Sequence, residues 1–125
     1  MSGDQEPDDF GTRLADVTSA LVRAKATYYG KGPTKAKSYL NDEYLFCVME
    51  DGLTANEQTL LRVGEHDFVR SYRLKWQEIM APVLMAEVSE IMGRTILSYH
   101  SQIMFDPTRL VEMFVLETEG SQDTL

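Results

Sequence analysis

The sequence predicts a single α+β domain in which helices pack on one face of a four-stranded antiparallel sheet. Apolar residues recur at helical spacing near the start, two pairs of strand-like segments are each joined by a tight turn, and a helix-start signal opens a long helical pattern between the two pairs. The predicted order is therefore α-β-β-α-α-β-β. With 125 residues, the chain has room for one ordinary domain.

The first helix is predicted from about Asp9 to Tyr29. Its apolar residues lie alternately four and three positions apart, which places them on one helical face. These residues are Phe10, Leu14, Val17, Leu21, Ala24 and Tyr28. Gly30 is expected to end the helix in a left-handed conformation, and Pro33 prevents the helix from continuing.

A β-hairpin is predicted next. In the segment Thr34 to Leu40, successive side chains point to opposite faces, and Lys35 and Lys37 fall on the same face. This pattern is expected of a strand half exposed to water. Asn41-Asp42 provides a tight turn into Tyr44 to Met49. This second strand is apolar on both faces, so we expect it in the centre of the sheet.

The middle of the chain is predicted to be helical. Thr54 and Glu57 form the pattern of a capping box, in which each side chain accepts a hydrogen bond from the other residue's backbone amide. The helical pattern then continues to about Met92. Gly64 is expected to divide it into two helices, and Pro82 is expected to kink the second one. Gly93 should end that second helix.

Two further strands, Arg94 to Phe105 and Leu110 to Leu116, complete the predicted sheet, with a turn at residues 106–109. The last strand is apolar on both faces, yet one helical layer covers only one face of a sheet. We therefore expect a homodimer, in which two copies pack through their sheets or through their long helices.

Charge is distributed unevenly along the chain. The formal net charge is −8, but residues 1–9 and 117–125 contain acidic residues and neither lysine nor arginine. We predict a disordered acidic tail at residues 1–9, a folded domain at residues 10–117 and a disordered tail at residues 118–125. Because the folded part is close to neutral, duplex DNA is a poor candidate partner.

The expected location is the cytoplasm. Cys47 is the single cysteine and lies in an apolar run, so it is interpreted as a small buried hydrophobic residue without a disulfide. The first residues have neither the basic nor the apolar region of a secretory signal, and no run of about 18 apolar residues occurs. We do not expect an integral membrane protein, although a position beside the inner membrane remains compatible with the sequence.

A basic segment surrounds the Gly30–Pro33 turn. No acidic residue occurs between Asp16 and Asp42, and the segment contains five cations that we expect to converge on the turn: Arg23, Lys25, Lys31, Lys35 and Lys37. Glycine lets an anion approach backbone amides, and lysine supplies charge. The candidate anion-binding residues are Lys31, Gly32, Lys35 and Lys37, together with Arg70 and Arg73 on the long helix. The alternative is a helix end complemented by cations, followed by an edge strand that lysines protect from aggregation.

No catalytic or metal-binding set is predicted. His66 and His100 have no histidine, cysteine or carboxylate at a typical metal-ligand spacing apart from the generic Glu65 and Asp67. We therefore predict no metal, no cofactor and no catalytic residue, and we leave enzymatic activity open. Phe68, Tyr72 and Trp76, four residues apart, are assigned to the core or to a dimer interface rather than to base stacking.

Several motifs resemble a bacterial domain family of unknown function, some members of which are described as the MpsC-like component of a sodium-translocating, membrane-potential-generating system. The matching stretches are GKGPTKAKSYLNDE, GLTANEQTLL, Arg70-Ser-Tyr-Arg73, IMGRTILSYHSQIMFDP and MFVLE, which together span most of residues 10–117. The resemblance implies a small cytoplasmic protein associated with membrane transport or inorganic carbon supply. It implies no catalytic residues.

Three functional hypotheses follow. The first is a non-catalytic binding or regulatory module, an accessory component that serves a membrane transport protein or an inorganic-carbon system. The second is a sensor or enzyme for a small anion such as bicarbonate, phosphate or a nucleotide, which would bind at Lys31, Lys35, Arg70 and Arg73. The third is RNA binding through the basic turn, which would weaken steeply with salt.

Overall fold

The computed structural model describes residues 2–118 and confirms the predicted element order. Within these residues the chain forms three helices and one four-stranded antiparallel sheet. The elements are α1 (Ser2–Tyr29), β1 (Lys35–Asn41), β2 (Tyr44–Glu50), α2 (Ala55–Arg62), α3 (His66–Met92), β3 (Ile96–Met104) and β4 (Arg109–Leu116). The strand boundaries lie within two residues of those predicted.

The predicted tails stay predictions. The backbone of α1 is described from Ser2, so its bounds include most of residues 1–9, but the side chains of those nine residues lie outside the described part of the structure. Of the predicted C-terminal tail, residues 118–125, Thr118 alone is described.

The sheet has the strand order β1-β2-β4-β3, with every neighbouring pair antiparallel. The two central strands, β2 and β4, are the two that the sequence marks as apolar on both faces. Leu45 lies opposite Phe114 and Cys47 lies opposite Glu112, so the buried sides of these strands coincide.

The helices form one layer on one face of the sheet. α1 packs on β1 and on α3, while α3 packs on β3. The core lies between this layer and the sheet, and the largest of its fully buried apolar side chains are Leu21, Leu45, Met49, Met80, Leu84, Phe114 and Leu116. The opposite face of the sheet is not covered by any described residue of the chain.

The helix ends follow from local chemistry. Gly30 and Gly93 adopt positive φ angles of 79° and 69° directly after α1 and α3, a conformation that glycine adopts without steric cost. Thr54 and Glu57 form the predicted capping box at the start of α2. α2 and α3 are separate helices with Gly64 between them, and α3 continues past Pro82 to Met92.

Candidate functional site

The predicted basic turn packs against the loop that follows β2. Lys31 Nζ donates a hydrogen bond of 2.8 Å to the Asp51 carbonyl oxygen and lies 3.6 Å from Asp51 Oδ1. Gly32 lies close to α1, where an added Cβ would be 3.4 Å from Ala26 Cβ. Lys31 therefore already has an acidic partner, and Gly32 permits close packing of the turn on the helix.

Arg23 and Lys25 are held away from the turn by acidic partners, which corrects the expectation that all five cations converge there. Lys25 is buried, with its Nζ 3.0 Å from Glu112 Oε2. Arg23 is exposed and lies 3.1 Å from Glu87 Oε2 on α3. The expectation was wrong because their acidic partners lie far away in the sequence, where a local count of charges does not find them.

Lys35 and Lys37 lie on the uncovered face of β1. Both side chains are exposed, and the Lys37 ammonium lies 5.4 Å from the centre of the Tyr39 ring. Tyr39 in turn stacks on Phe46 of β2, with ring centres 5.2 Å apart. These two lysines therefore belong to the sheet surface.

Arg70 and Arg73 have different environments on α3. Arg70 is exposed, 2.9 Å from Asp67 Oδ1, and its guanidinium lies over Phe105. Arg73 is buried and donates to both carboxylate oxygens of Glu57, at 2.6 and 2.5 Å, and to the Gly52 carbonyl oxygen at 3.0 Å. Its charge is thus neutralised inside the protein.

A cavity of about 190 Å³ brings the two arginines together, and Lys31, Lys35 and Lys37 are not among its lining residues. The lining consists of Arg70, Arg73, Leu74, Ser101, Gln102, Ile103 and Leu110. Arg73 Nη1 has no hydrogen-bond partner among the described residues. The six predicted anion-binding residues are therefore divided among the turn, the sheet surface and this cavity.

A buried polar network around Glu112 was missed by sequence reasoning. Glu112 accepts hydrogen bonds from Tyr99 Oη and, at 2.7 Å, from Ser101 Oγ, in addition to its ion pair with Lys25. Burial, and then the Glu112 charge, raise the pKa of Tyr99 above its ordinary value. The available signal was the position of Glu112 between Leu110 and Phe114 on the apolar face of β4, since a carboxylate there requires partners.

An aromatic cluster covers the junction of α1 and α3. The Tyr29 ring lies 6.0 Å from Trp76 and 6.3 Å from Tyr72, and the Arg73 guanidinium lies 3.8 Å from the Tyr29 ring centre. Burial raises the pKa of Tyr29, and the charge of Arg73 opposes that rise only in part. Beside the cluster is a cavity of about 350 Å³, lined by Tyr29, Thr54, Asn56, Glu57, Leu60, Phe68, Val69 and Tyr72.

The outer side of α3 carries a second apolar surface, which we call the α3 stripe and define as Phe68, Tyr72, Ile79 and Val83. These side chains are 43–57% exposed, and their spacing places them on one side of the helix. The sequence pattern assigns Phe68 and Tyr72 to the core or to a dimer interface. The structure places neither in the core, so the dimer interface is the part of that assignment that stays a prediction.

The uncovered side of the sheet, the open face, is also largely apolar. Its residues alternate along each strand with those that face the core. The apolar members are Tyr39, Tyr44, Phe46, Val48, Val111, Met113 and Val115. Because the helical layer lies on the other side of the sheet, the open face and the α3 stripe are on opposite sides of the molecule.

The histidines do not belong to a cluster of metal ligands in residues 2–118. His66 packs edge-on against Phe105 with ring centres 4.7 Å apart, and His100 is exposed on the open face. Among the described residues no three histidine, cysteine, aspartate or glutamate side chains could together hold a metal ion. None of the helices in this part of the chain is long and apolar enough to cross a membrane.

Comparisons with known proteins give one result. No curated protein and no solved structure matches the chain. A family model described as "Na+-translocating membrane potential-generating system (MpsC)" matches residues 11–118, which include the whole of the sheet and all of α2 and α3. The chain therefore belongs to the MpsC family.

Proposed function

We propose that the chain is a non-catalytic accessory component of a Na+-translocating membrane system, and that it binds a membrane component of that system through the α3 stripe. The observation that carries the proposal is the stripe itself, four large apolar side chains left exposed on one side of a long helix. Several large apolar side chains exposed on one surface are a frequent mark of a binding site. The family description supports the choice of system.

The charged groups of the interior favour binding over catalysis. Among the described side chains, two ion pairs are buried, Lys25 with Glu112 and Arg73 with Glu57, and each has opposite charges in direct contact. A catalytic acid or base needs a proton that it can exchange with a substrate. Side chains locked in neutral pairs inside the core are better suited to holding helices and sheet together.

The spacing of the α3 stripe indicates the kind of partner. Phe68, Tyr72, Ile79 and Val83 lie at i, i+4, i+11 and i+15 on one side of α3, and the exposed Lys75 lies at i+7 between them. Anchors spaced by turns along one helix side suit a second amphipathic helix packed alongside. The stripe extends for about 22 Å at the helical rise of roughly 1.5 Å per residue. We therefore propose that its occupant is an amphipathic helix that a membrane transport protein exposes at the membrane surface.

Complementation in the source cells tests this function. Deletion of the gene should reduce the Na+-dependent membrane potential, as measured with a voltage-sensitive dye, and the wild-type gene should restore it. The double variant Ile79→Asp/Val83→Asp should fail to restore it, although its far-ultraviolet circular dichroism and melting curve match those of the wild type. The control is Glu78→Lys, a charge reversal at an exposed residue of α3 that lies off the stripe, and it should complement fully. An unchanged potential after deletion, or full rescue by the aspartate variant, would refute the proposal.

A second candidate function is binding of a small anion in the cavity beside Arg70 and Arg73. It is favoured by one observation, the buried Arg73 Nη1, which lacks a hydrogen-bond partner within residues 2–118. Phosphate or bicarbonate should then raise the melting temperature, and Arg70→Ala should abolish that rise. If Lys31→Ala abolishes it instead, the anion binds at the turn. No rise with either anion excludes this candidate.

A further inference from the structure

The open face of the sheet carries an ordered pattern of residues in four rows that run across the strands in the order β1, β2, β4, β3. The first row is Lys35, Glu50, Arg109 and Met104; the second is Lys37, Val48, Val111 and Gln102; the third is Tyr39, Phe46, Met113 and His100; the fourth is Asn41, Tyr44, Val115 and Ser98. Charge is concentrated in the first row. The centre of the face is apolar.

The charged pair of the first row lies on the two central strands. Arg109 Nε is 3.8 Å from Glu50 Oε2, and both side chains are at least one-third exposed, so each has room for a second partner of opposite sign. One is on β2 and the other on β4, at the same height. A symmetry operation that places β2 of one copy opposite β4 of another therefore places a negative side chain opposite a positive one.

A two-fold axis performs that exchange when it lies in the interface, parallel to the strands and between β2 and β4. It places β2 of one copy over β4 of the other and keeps the rows at the same height. Glu50 then faces the partner's Arg109, and Arg109 faces the partner's Glu50. In the middle rows Val48 faces the partner's Val111 and Phe46 faces the partner's Met113. The strand directions of two sheets packed face to face differ by about 30°. Long side chains at the ends of the face can still reach their partners across this angle.

The edge strands fit the same operation. Lys35 and Lys37 on β1 lie over β3 of the other copy, where the facing residues Met104 and Gln102 are uncharged. An axis perpendicular to the strands would instead place Glu50 on the partner's Tyr44, and neither Glu50 nor Arg109 would face an opposite charge in the other copy. The distribution of charge thus distinguishes between the two possible arrangements.

We propose that two copies of the chain pack through their open faces about the axis between β2 and β4, with Glu50 of each copy paired to Arg109 of the other. Phe46, Val48, Val111 and Met113 form the apolar centre of this interface. The charged row stabilises its register and excludes the alternative orientation. The α3 stripe stays accessible on the outside of each protomer, so the dimer presents two copies of it.

Charge reversal tests the interface through the oligomeric state. In sedimentation equilibrium the wild type should have twice the 14.2 kDa mass of one chain. Glu50→Arg and Arg109→Glu, each alone, place like charges opposite each other and should raise the dimer dissociation constant on the order of 100-fold. Mixing the two variants should restore a dimer, because every arginine in one chain then faces a glutamate in the other. The double variant Glu50→Arg/Arg109→Glu should also dimerise by itself.

Two controls separate this result from unfolding and from the proposed function. Glu90→Arg, a reversal on the exposed side of α3, should leave the dimer unchanged, and so should Ile79→Asp/Val83→Asp. A monomeric wild type, or single reversals that dimerise as well as the wild type, overturns the proposal. Single variants that become monomeric but do not recombine on mixing also overturn it, since they show that Glu50 and Arg109 do not meet across the interface.

Discussion

Lys25 and Glu112 form an ion pair inside the protein, with Nζ 3.0 Å from Oε2 and side chains that are 2% and 0% exposed. Glu112 is further held by the hydroxyl groups of Tyr99 and Ser101. This group of contacts joins α1 to the two strands β3 and β4. A buried carboxylate with three donors is well compensated, but removal of one donor leaves a charge in an apolar environment.

Lys25→Met should therefore destabilise the protein by about 3–5 kcal/mol in urea unfolding at pH 7. Glu112→Gln should have a cost of similar size, because it leaves the Lys25 ammonium buried without an opposite charge. The double variant should lose clearly less than the sum of the two single variants, since each removes the group that the other leaves unpaired. The control is Arg23→Met, which breaks an exposed pair and should change stability by less than about 1 kcal/mol. Equal losses for Lys25→Met and Arg23→Met would contradict the role of burial.

The pH dependence of stability should depend on Glu57. Burial acts to raise the pKa of this carboxyl, but hydrogen bonds from Arg73 and Thr54 outweigh burial, and the net effect is a pKa below the ordinary value of 4.5. A lowered folded-state pKa stabilises the protein above the ordinary value, and the stabilisation is lost as the pH falls through the folded-state pKa. Glu57→Gln should therefore be less stable than the wild type at pH 7. As the pH falls below 4.5, it should lose less stability than the wild type does. Urea unfolding across this range measures both slopes, and Glu65→Gln on the exposed surface is the control. Parallel slopes for the wild type and Glu57→Gln would refute the assignment.

Element order was predictable because its signals are local. The glycines at 30 and 93, and the reciprocal hydrogen bonds of Thr54 and Glu57, act within a few residues of the boundary that each one sets. The central positions of β2 and β4 were predictable for the same reason, since apolar residues on both sides of a strand are visible in the strand itself.

Side-chain partners were not predictable in the same way. α3 has two apolar sides, one containing Val69, Met80 and Leu84 and the other forming the α3 stripe, and periodicity alone does not show which of them meets the sheet. The candidate anion-binding residues were grouped by proximity in the sequence. Their positions in space depend on Asp51, Glu57 and Glu112, residues brought to them by folding.

Cys47 should be unreactive in the native protein. It is a free, buried cysteine in the centre of the sheet, and burial raises the pKa of its thiol while a hydrogen bond with Ser38 opposes that rise only in part. The thiolate is the reactive form, so both access and ionisation are reduced. A colorimetric disulfide reagent at pH 8 should react fully in denaturant and far more slowly without it. A second cysteine introduced by Ser19→Cys, at an exposed position on α1, should react rapidly in the folded protein. Rapid reaction of native Cys47 would show that the sheet opens at this position.

Two glycine substitutions should change stability in opposite directions. Gly93 has a φ angle of 69° at the end of α3, where a side chain would be strained, so Gly93→Ala should cost about 1–2 kcal/mol. Gly11 lies inside α1, and apart from its chain neighbours and its own helix backbone no described atom is within 4 Å of the position that its Cβ would occupy. Alanine there has less conformational freedom to lose on folding, so Gly11→Ala should stabilise the protein by roughly 0.5–1 kcal/mol. Urea unfolding of both variants under one set of conditions measures the difference. If both are destabilised alike, α1 does not persist as a helix at Gly11 in solution, whereas stabilisation of Gly93→Ala would mean that α3 ends elsewhere.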